Sequence, residues 1–209
     1  AQNELLRANA LGNFQNLVTQ ISTDAAMLRW LDGNNSRRKA PNENYARELM
    51  ELFTMGIGNY TETDVKEGAR AFTGWTVNKD GAVTYNAKQH DDGLKTFLGE
   101  TGRFSVSDIV AIIMKKRATA EYIAKRLFTF FVARTPDRNG IVPLADVFQS
   151  SGYNIKAVMR ALFLSPEFSA PQAYRALVKS PVELVVGVHR DLGILSDGQG
   201  LPGHPATFG

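Results

Sequence analysis

The sequence predicts an all-α fold, a single-domain helical bundle of about eight helices with a small β-hairpin insertion. Three observations predict it. Apolar residues recur every three or four positions through most of the 209 residues, which is the spacing of one helical face. Capping residues and glycine stops bracket those runs. The pattern departs from helical only between about 75 and 98. A chain of this length can build one sizeable core. Its 44% hydrophobic and 22% charged residues are those of an ordinary globular protein. We therefore expect one helical domain over 1–195 and a flexible Gly- and Pro-rich tail over 196–209.

Taken in order, Leu6, Ala10, Phe14, Leu17 and Ile21 place an amphipathic helix near 3–21. A short helix near 24–32 follows, stopped by Gly33, and NNSRRKAP after it is a polar loop. The helix at 43–55 presents Ala46, Leu49, Met50 and Phe53 on one face, with Asn42 or Asn44 to cap it and Gly56 to end it. A further helix near 62–73 opens on Thr61 and Asp64 at capping-box spacing, with Asp in place of the usual Glu or Gln. Lys79-Asp80-Gly81, between TV and AVTY, is a hairpin turn and marks the one β element expected.

Helices resume over 105–116 and 119–134. The second is apolar on most sides through Ile123, Leu127, Phe128, Phe130, Phe131 and Val132, which places it through the middle of the core. A Pro-containing loop at 135–143 leads to helices near 143–149 and 154–164, the latter burying Ile155, Val158, Met159 and Leu162. Ser180-Pro181-Val182-Glu183 combines a Ser cap, Pro at the first helical position and Glu at the third. It opens a helix that runs to about Leu192 and stops at Gly193.

Composition excludes several function classes. With no cysteine there is no disulfide, thiolate zinc site, iron–sulfur cluster or cysteine nucleophile. The longest apolar runs are far too short to span a bilayer. The net charge of +3 comes from 24 basic and 21 acidic residues spread along the chain, so no footprint for nucleic acid stands out. Lys115, Lys116 and Arg117 form a tight basic cluster, which suits a helix C-terminus.

Two constellations could carry chemistry. Glu43, Arg47 and Glu51 lie four apart on one helix face, with Glu48 beside them. Paired carboxylates can share acid–base work or hold a metal, but the di-iron carboxylate pattern requires Glu-x-x-His and this helix has Glu-x-x-Glu. A salt-bridged helix face is the plainer reading. His90-Asp91-Asp92-Gly93 is the second: a metal or acid–base pair, or a polar turn in which an Asp caps its own backbone. Trp75 and Tyr85 are either hairpin core or a stacking platform for a flat ligand or sugar. Thr135, Asp137, Asn139, Gly140, Val142 and Asp146 fall at EF-hand loop positions, but Thr at the first position, Pro143 at the ninth and Asp at the twelfth weaken the pattern. The chain has no G-x-S-x-G, P-loop, G-x-G-x-x-G or H-E-x-x-H.

The stretch NENYARELMELFTMGIGNYTETDVKEGARAFTGW at 42–75 resembles the signature of a bacterial family named "domain of unknown function 1800". RANALGNF at 7–14, HDDGLKTFLGETG at 90–102, FTFFVARTPD at 128–137, LFLSPEF at 162–168 and YRALVKSPVELVVG at 174–187 resemble further blocks of it, in its order. The resemblance implies a predominantly helical protein, exported from a bacterial cell (periplasmic or extracellular). Such proteins are longer, with RANALGNF well inside the chain and a Pro- and Trp-rich block after the last helix where this chain reads GLPGHPATFG. This chain is therefore expected to be the C-terminal portion of a longer member. Its partner is then that protein's missing N-terminal portion or another protein.

The leading expectation is a scaffold or interaction module. The alternative is a hydrolase, metal-assisted or not, with Glu48, Glu51, His90 and Asp91 as catalytic candidates and Glu43, Arg47, Arg70 and Trp75 as binding candidates. A third is binding of a cell-surface polysaccharide or other polymer through Trp75, Tyr85 and nearby basic residues. No metal ligand set and no cofactor is assigned.

Overall fold

The computed structural model describes residues 2–194; the tail expected at 196–209 lies outside the described residues. The fold class is as the periodicity predicts, with ten α-helices and two antiparallel hairpins among the described residues. The expected single helix near 3–21 is two, α1 (Gln2–Asn9) and α2 (Phe14–Ser22). The break has a local cause: the Asn13 side chain accepts from Asn16 N (3.0 Å), the geometry of a cap that competes with a continuous helix. The same stretch is stitched to the distant chain, since Ile155 N donates to Gly12 O and Phe14 N to Tyr153 O. α3 (Ala25–Trp30) is capped by Asp24. Beyond it Asp32, rather than Gly33, takes the left-handed conformation (φ 56°), an αL position that Asp tolerates.

The signature helix begins as α4 (Asn44–Glu48) and continues as a π-helix over Leu49–Thr54. Asn42 Oδ1 takes the Asn44 N–H (2.8 Å), and Gly56 (φ 77°) ends the element as expected. A Cβ at Gly56 would sit 2.7 Å from the Tyr122 ring, so glycine is required there twice over. α5 (Glu62–Ala71) opens on the Thr61/Asp64 capping box. The second Asp64 oxygen accepts from Leu98 N (2.7 Å) and so ties the helix to the β region.

Strands β1 (Trp75–Val77) and β2 (Val83–Tyr85) pair around the predicted turn, with Gly81 at φ 85°. A second hairpin, β3 (Lys95–Phe97) with β4 (Glu100–Gly102), was not expected. Its two-residue turn is Leu98-Gly99, both at positive φ, and Leu is not the Asn or Asp that signals such turns. β3 packs on α5, and Phe97 is fully buried.

α6 (Val106–Met114) and α7 (Arg117–Phe131) follow. α7 does not run through the middle of the core: it buries one face through Ala120, Ala124 and Phe128 and exposes Phe130. α8 (Arg138–Ser150) starts well before Pro143, which sits inside it. The EF-hand pattern is thereby dissolved. Asp137 caps the helix by accepting from Gly140 N (2.8 Å), and Asp146 pairs with Arg117 (2.7 Å). α9 (Ile155–Phe163) buries Val158 and Leu162. α10 (Pro181–Asp191) has the Ser180/Glu183 capping box and Pro at its first position, as expected.

α7 packs along α8, α8 on α9, and α2 on α6. The core they enclose is built on Leu49, Met50, Val65, Phe97, Ile109, Ile113, Phe148 and Leu162. No helix among the described residues is long and apolar enough to cross a membrane.

Candidate functional site

The candidate residues separate into two places. On α4, Arg47 forms a bidentate pair with Glu62 at the start of α5 (2.6 and 2.8 Å) and a longer contact to Glu43 (3.4 Å). These hydrogen bonds push the Arg47 guanidinium further up and hold the Glu62 carboxyl below its usual range. Glu51 does not join that ladder. The π-helix begins at Leu49, and its wider turn carries Glu51 away from the i+4 position opposite Arg47. Glu51 accepts instead from the Tyr60 hydroxyl (2.9 Å). Burial first, then that carboxylate, push Tyr60 up to about 12. Glu48 is half-buried on the same element.

The second place is built where the end of α5 meets the loop between the hairpins. Arg70 grips Asp91 with two hydrogen bonds (2.8 and 3.2 Å), Glu67 with a third (2.8 Å) and the Leu94 carbonyl with a fourth (2.9 Å). The Arg70 hydrogen bond holds the Asp91 carboxyl at about 2, with help from the Gly93 amide. Lys95 is 1% exposed, and its ammonium donates to the Asp91 and Gly93 carbonyls. Burial pushes its pKa down, against the nearby Asp91 charge. Thr73 locks the loop to the helix end: its hydroxyl donates to Arg70 O (2.7 Å) and accepts from Asp91 N (2.8 Å). The turn reading of His90-Asp91-Asp92-Gly93 is thus the one observed, with Asp91 Oδ1 accepting from Gly93 N (2.9 Å).

His90 closes the arrangement. Its Nδ1 lies 3.0 Å from the Thr73 carbonyl, which can only accept, so Nδ1 carries the proton and Nε2 is left as an acceptor. The His90 ring stacks beside Tyr85 (centroids 5.8 Å), and Tyr85 beside Trp75 (4.9 Å). The three rings line a cavity of about 350 Å³ with Thr19 of α2, Thr23 just after it, and Ser105 and Ser107 at the start of α6. Ala71 and Val106 complete its lining. Gly74 (φ 94°) makes the approach possible, since a Cβ there would stand 2.9 Å from the Asn86 carbonyl and 3.2 Å from His90.

Arg70, His90 and Asp91 are therefore brought together, and Trp75 lines the same cavity as His90. Glu43, Arg47, Glu48 and Glu51 are not joined to them by any hydrogen bond, ion pair or shared cavity among the described residues. Among the described residues no three His, Asp or Glu side chains converge as a metal site. Among the described residues His90 makes no hydrogen bond to a Ser hydroxyl, so no nucleophile–base pair of the Ser–His kind is formed there. Sequence reasoning missed Glu62, Glu67, Tyr60, Thr73 and Lys95. Glu67 was findable, because it lies three residues before Arg70 on one helix. The buried Lys95 carried no local signal.

A model of the family described as "Protein of unknown function (DUF1800)" matches residues 1–207. No curated protein and no solved structure matches the chain.

Proposed function

We propose that this chain, which belongs to the DUF1800 family over residues 1–207, works as a helical interaction module whose contact element is α10. One observation carries the reading. α10 has no buried residue, although Val182, Leu184, Val185, Val186 and Val188 make it apolar on most sides. A helix of that composition is normally buried, and exposed apolar surface on this scale marks an interaction site.

The occupant is a second copy of the chain. Glu183, Val186, Gly187 and Arg190 share one face of α10 at i, i+3, i+4 and i+7. Two such faces paired antiparallel about their midpoint set Glu183 of each copy against Arg190 of the other, a self-complementary arrangement of the two-fold kind. The helix dipoles oppose as well. Gly187 lies at the crossing, where a Cβ would meet only the Lys179 ammonium, at 3.6 Å, so the two backbones can come close. The ordering of the remaining surface supports a module rather than a reaction centre: the Arg47 and Arg70 networks are satisfied within the fold.

Sedimentation equilibrium from low micromolar to several hundred micromolar protein tests this. A monomer–dimer equilibrium is expected, weakened at least about tenfold by Arg190→Glu, which sets like charges opposite each other, and abolished by Val186→Arg. Val186→Ile is expected to leave it unchanged. A monomer throughout that range, or a dimer indifferent to Val186→Arg, overturns the self-association.

A further inference from the structure

The cavity beneath the first hairpin has a lining chemistry of its own, independent of α10. Two aromatic faces, Trp75 and Tyr85, stand at its rim with centroids 4.9 Å apart and planes tilted by 44°. Trp75 is half-buried and Tyr85 is 47% exposed, so both rings are reachable from solvent. Among the described residues no Asp, Glu, Lys or Arg lines the space. Three of the polar groups that line it are already spent as donors. The Thr19 hydroxyl donates to Gln15 O (2.9 Å), the Ser105 hydroxyl to Asp108 (2.6 Å), and His90 Nδ1–H to Thr73 O. What they still offer are acceptors: Thr19 Oγ1, His90 Nε2 and the remaining lone pair of Ser105 Oγ, which already accepts from the Ser107 hydroxyl (3.0 Å).

A ligand that matches this lining brings several O–H donors and an apolar face. An anion would meet acceptors with no cation to balance it. A metal ion would find no carboxylate. A plain aromatic would leave the acceptors unpaired, at the cost of their hydration. A pyranose ring has both features, hydroxyls at its edge and a face of C–H bonds that stacks on aromatic rings. The volume of about 350 Å³ is at the small end for ligand pockets and suits one or two sugar rings.

We infer that this cavity is a binding subsite for a neutral saccharide, stacked on Trp75 and Tyr85 and hydrogen-bonded through Thr19, Ser105 and His90 Nε2. The chain has two tryptophans, and the other, Trp30, is 81% exposed. A Trp30→Phe protein therefore reports on Trp75 alone. It is titrated with cellobiose, maltose and N,N′-diacetylchitobiose, and in parallel with choline, while emission and acrylamide quenching are followed. At least one disaccharide is expected to give a saturable blue shift and to shield Trp75 from quenching. In the same background, Tyr85→Leu is expected to weaken binding severalfold to about tenfold, since stacking on an aromatic ring contributes on that order, and Thr19→Val severalfold. Circular dichroism confirms that each variant folds, and Thr19→Val keeps the side-chain shape. An unmoved Trp75 signal with all three disaccharides overturns the proposal. So does tighter binding of choline, which marks a cation cage, or a Tyr85→Leu protein that binds as well as its parent.

Discussion

Asp91 shows what single residues contribute. Its carboxyl sits at about 2 against an ordinary 3.8, chiefly because Arg70 donates to it. A carboxylate whose pKa falls on folding contributes stability above its unfolded pKa and loses it as pH drops through the folded one. The contribution is therefore complete above about 4 and lost progressively toward about 2. Asp91→Asn is expected to destabilise the protein by about 1–3 kcal/mol at neutral pH, the range for losing a charged hydrogen-bond pair. Urea unfolding of both proteins checks this, and the gap between them should narrow as pH falls from about 4 to 2. A gap that is flat with pH would mean that the pair does not carry the effect. The turn at Asp91 was legible from Asp-Asp-Gly alone, because a short acidic side chain before glycine bonds its own backbone. Its partner was not, since no local rule brings a helix-end arginine to a loop 21 residues on. Lys95 was illegible for a stronger reason: lysine in a strand is ordinarily exposed, and only the carbonyls of Asp91 and Gly93 make its burial tolerable.

At the scale of elements, caps were read well and periods less well. The boxes at Thr61/Asp64 and Ser180/Glu183 form as their spacing requires, because each satisfies amides that a helix start leaves free. Thr61→Ala is expected to cost about 1 kcal/mol, read as a shift in urea midpoint. Gly56→Ala is expected to cost more, about 2 kcal/mol or above. It forces a side chain into positive φ and drives a methyl into the Tyr122 ring. A Gly56→Ala protein as stable as its parent would show that Tyr122 moves aside without loss. What spacing could not show is the change of helical period at Leu49. Assuming 3.6 residues per turn set Glu51 beside Arg47, and the wider π turn sent it to Tyr60. The missed hairpin and the longer α8 have the same origin: the local signal, Leu98-Gly99 or Pro143, pointed the other way and tertiary packing overrode it.

For the whole molecule, the decisive contrast is between the body of the fold and its last helix. Gly12 and Phe14 are hydrogen-bonded to Ile155 and Tyr153, so the two ends of the central body close on one another. Between them, Ile109, Ile113, Phe148 and Leu162 are fully buried. α10 has nothing comparable: Val182 and Leu184 are 72% and 49% exposed, and within the described residues its amides are secured only by its own helix and cap. Isolated helices of this length are marginal in water, so α10 should open far more readily than α6. Amide exchange is expected to be slow in α5 to α7 at every concentration. In α10 it should be fast in dilute protein and to slow as the concentration rises, because pairing supplies the packing the single chain lacks. Val186→Arg should hold α10 at its dilute rate at all concentrations. If α10 were as protected as α6 in dilute protein, the helix would be stable alone and its apolar surface would need another explanation. If both regions slowed together with concentration, association would be stabilising the whole fold through some other face.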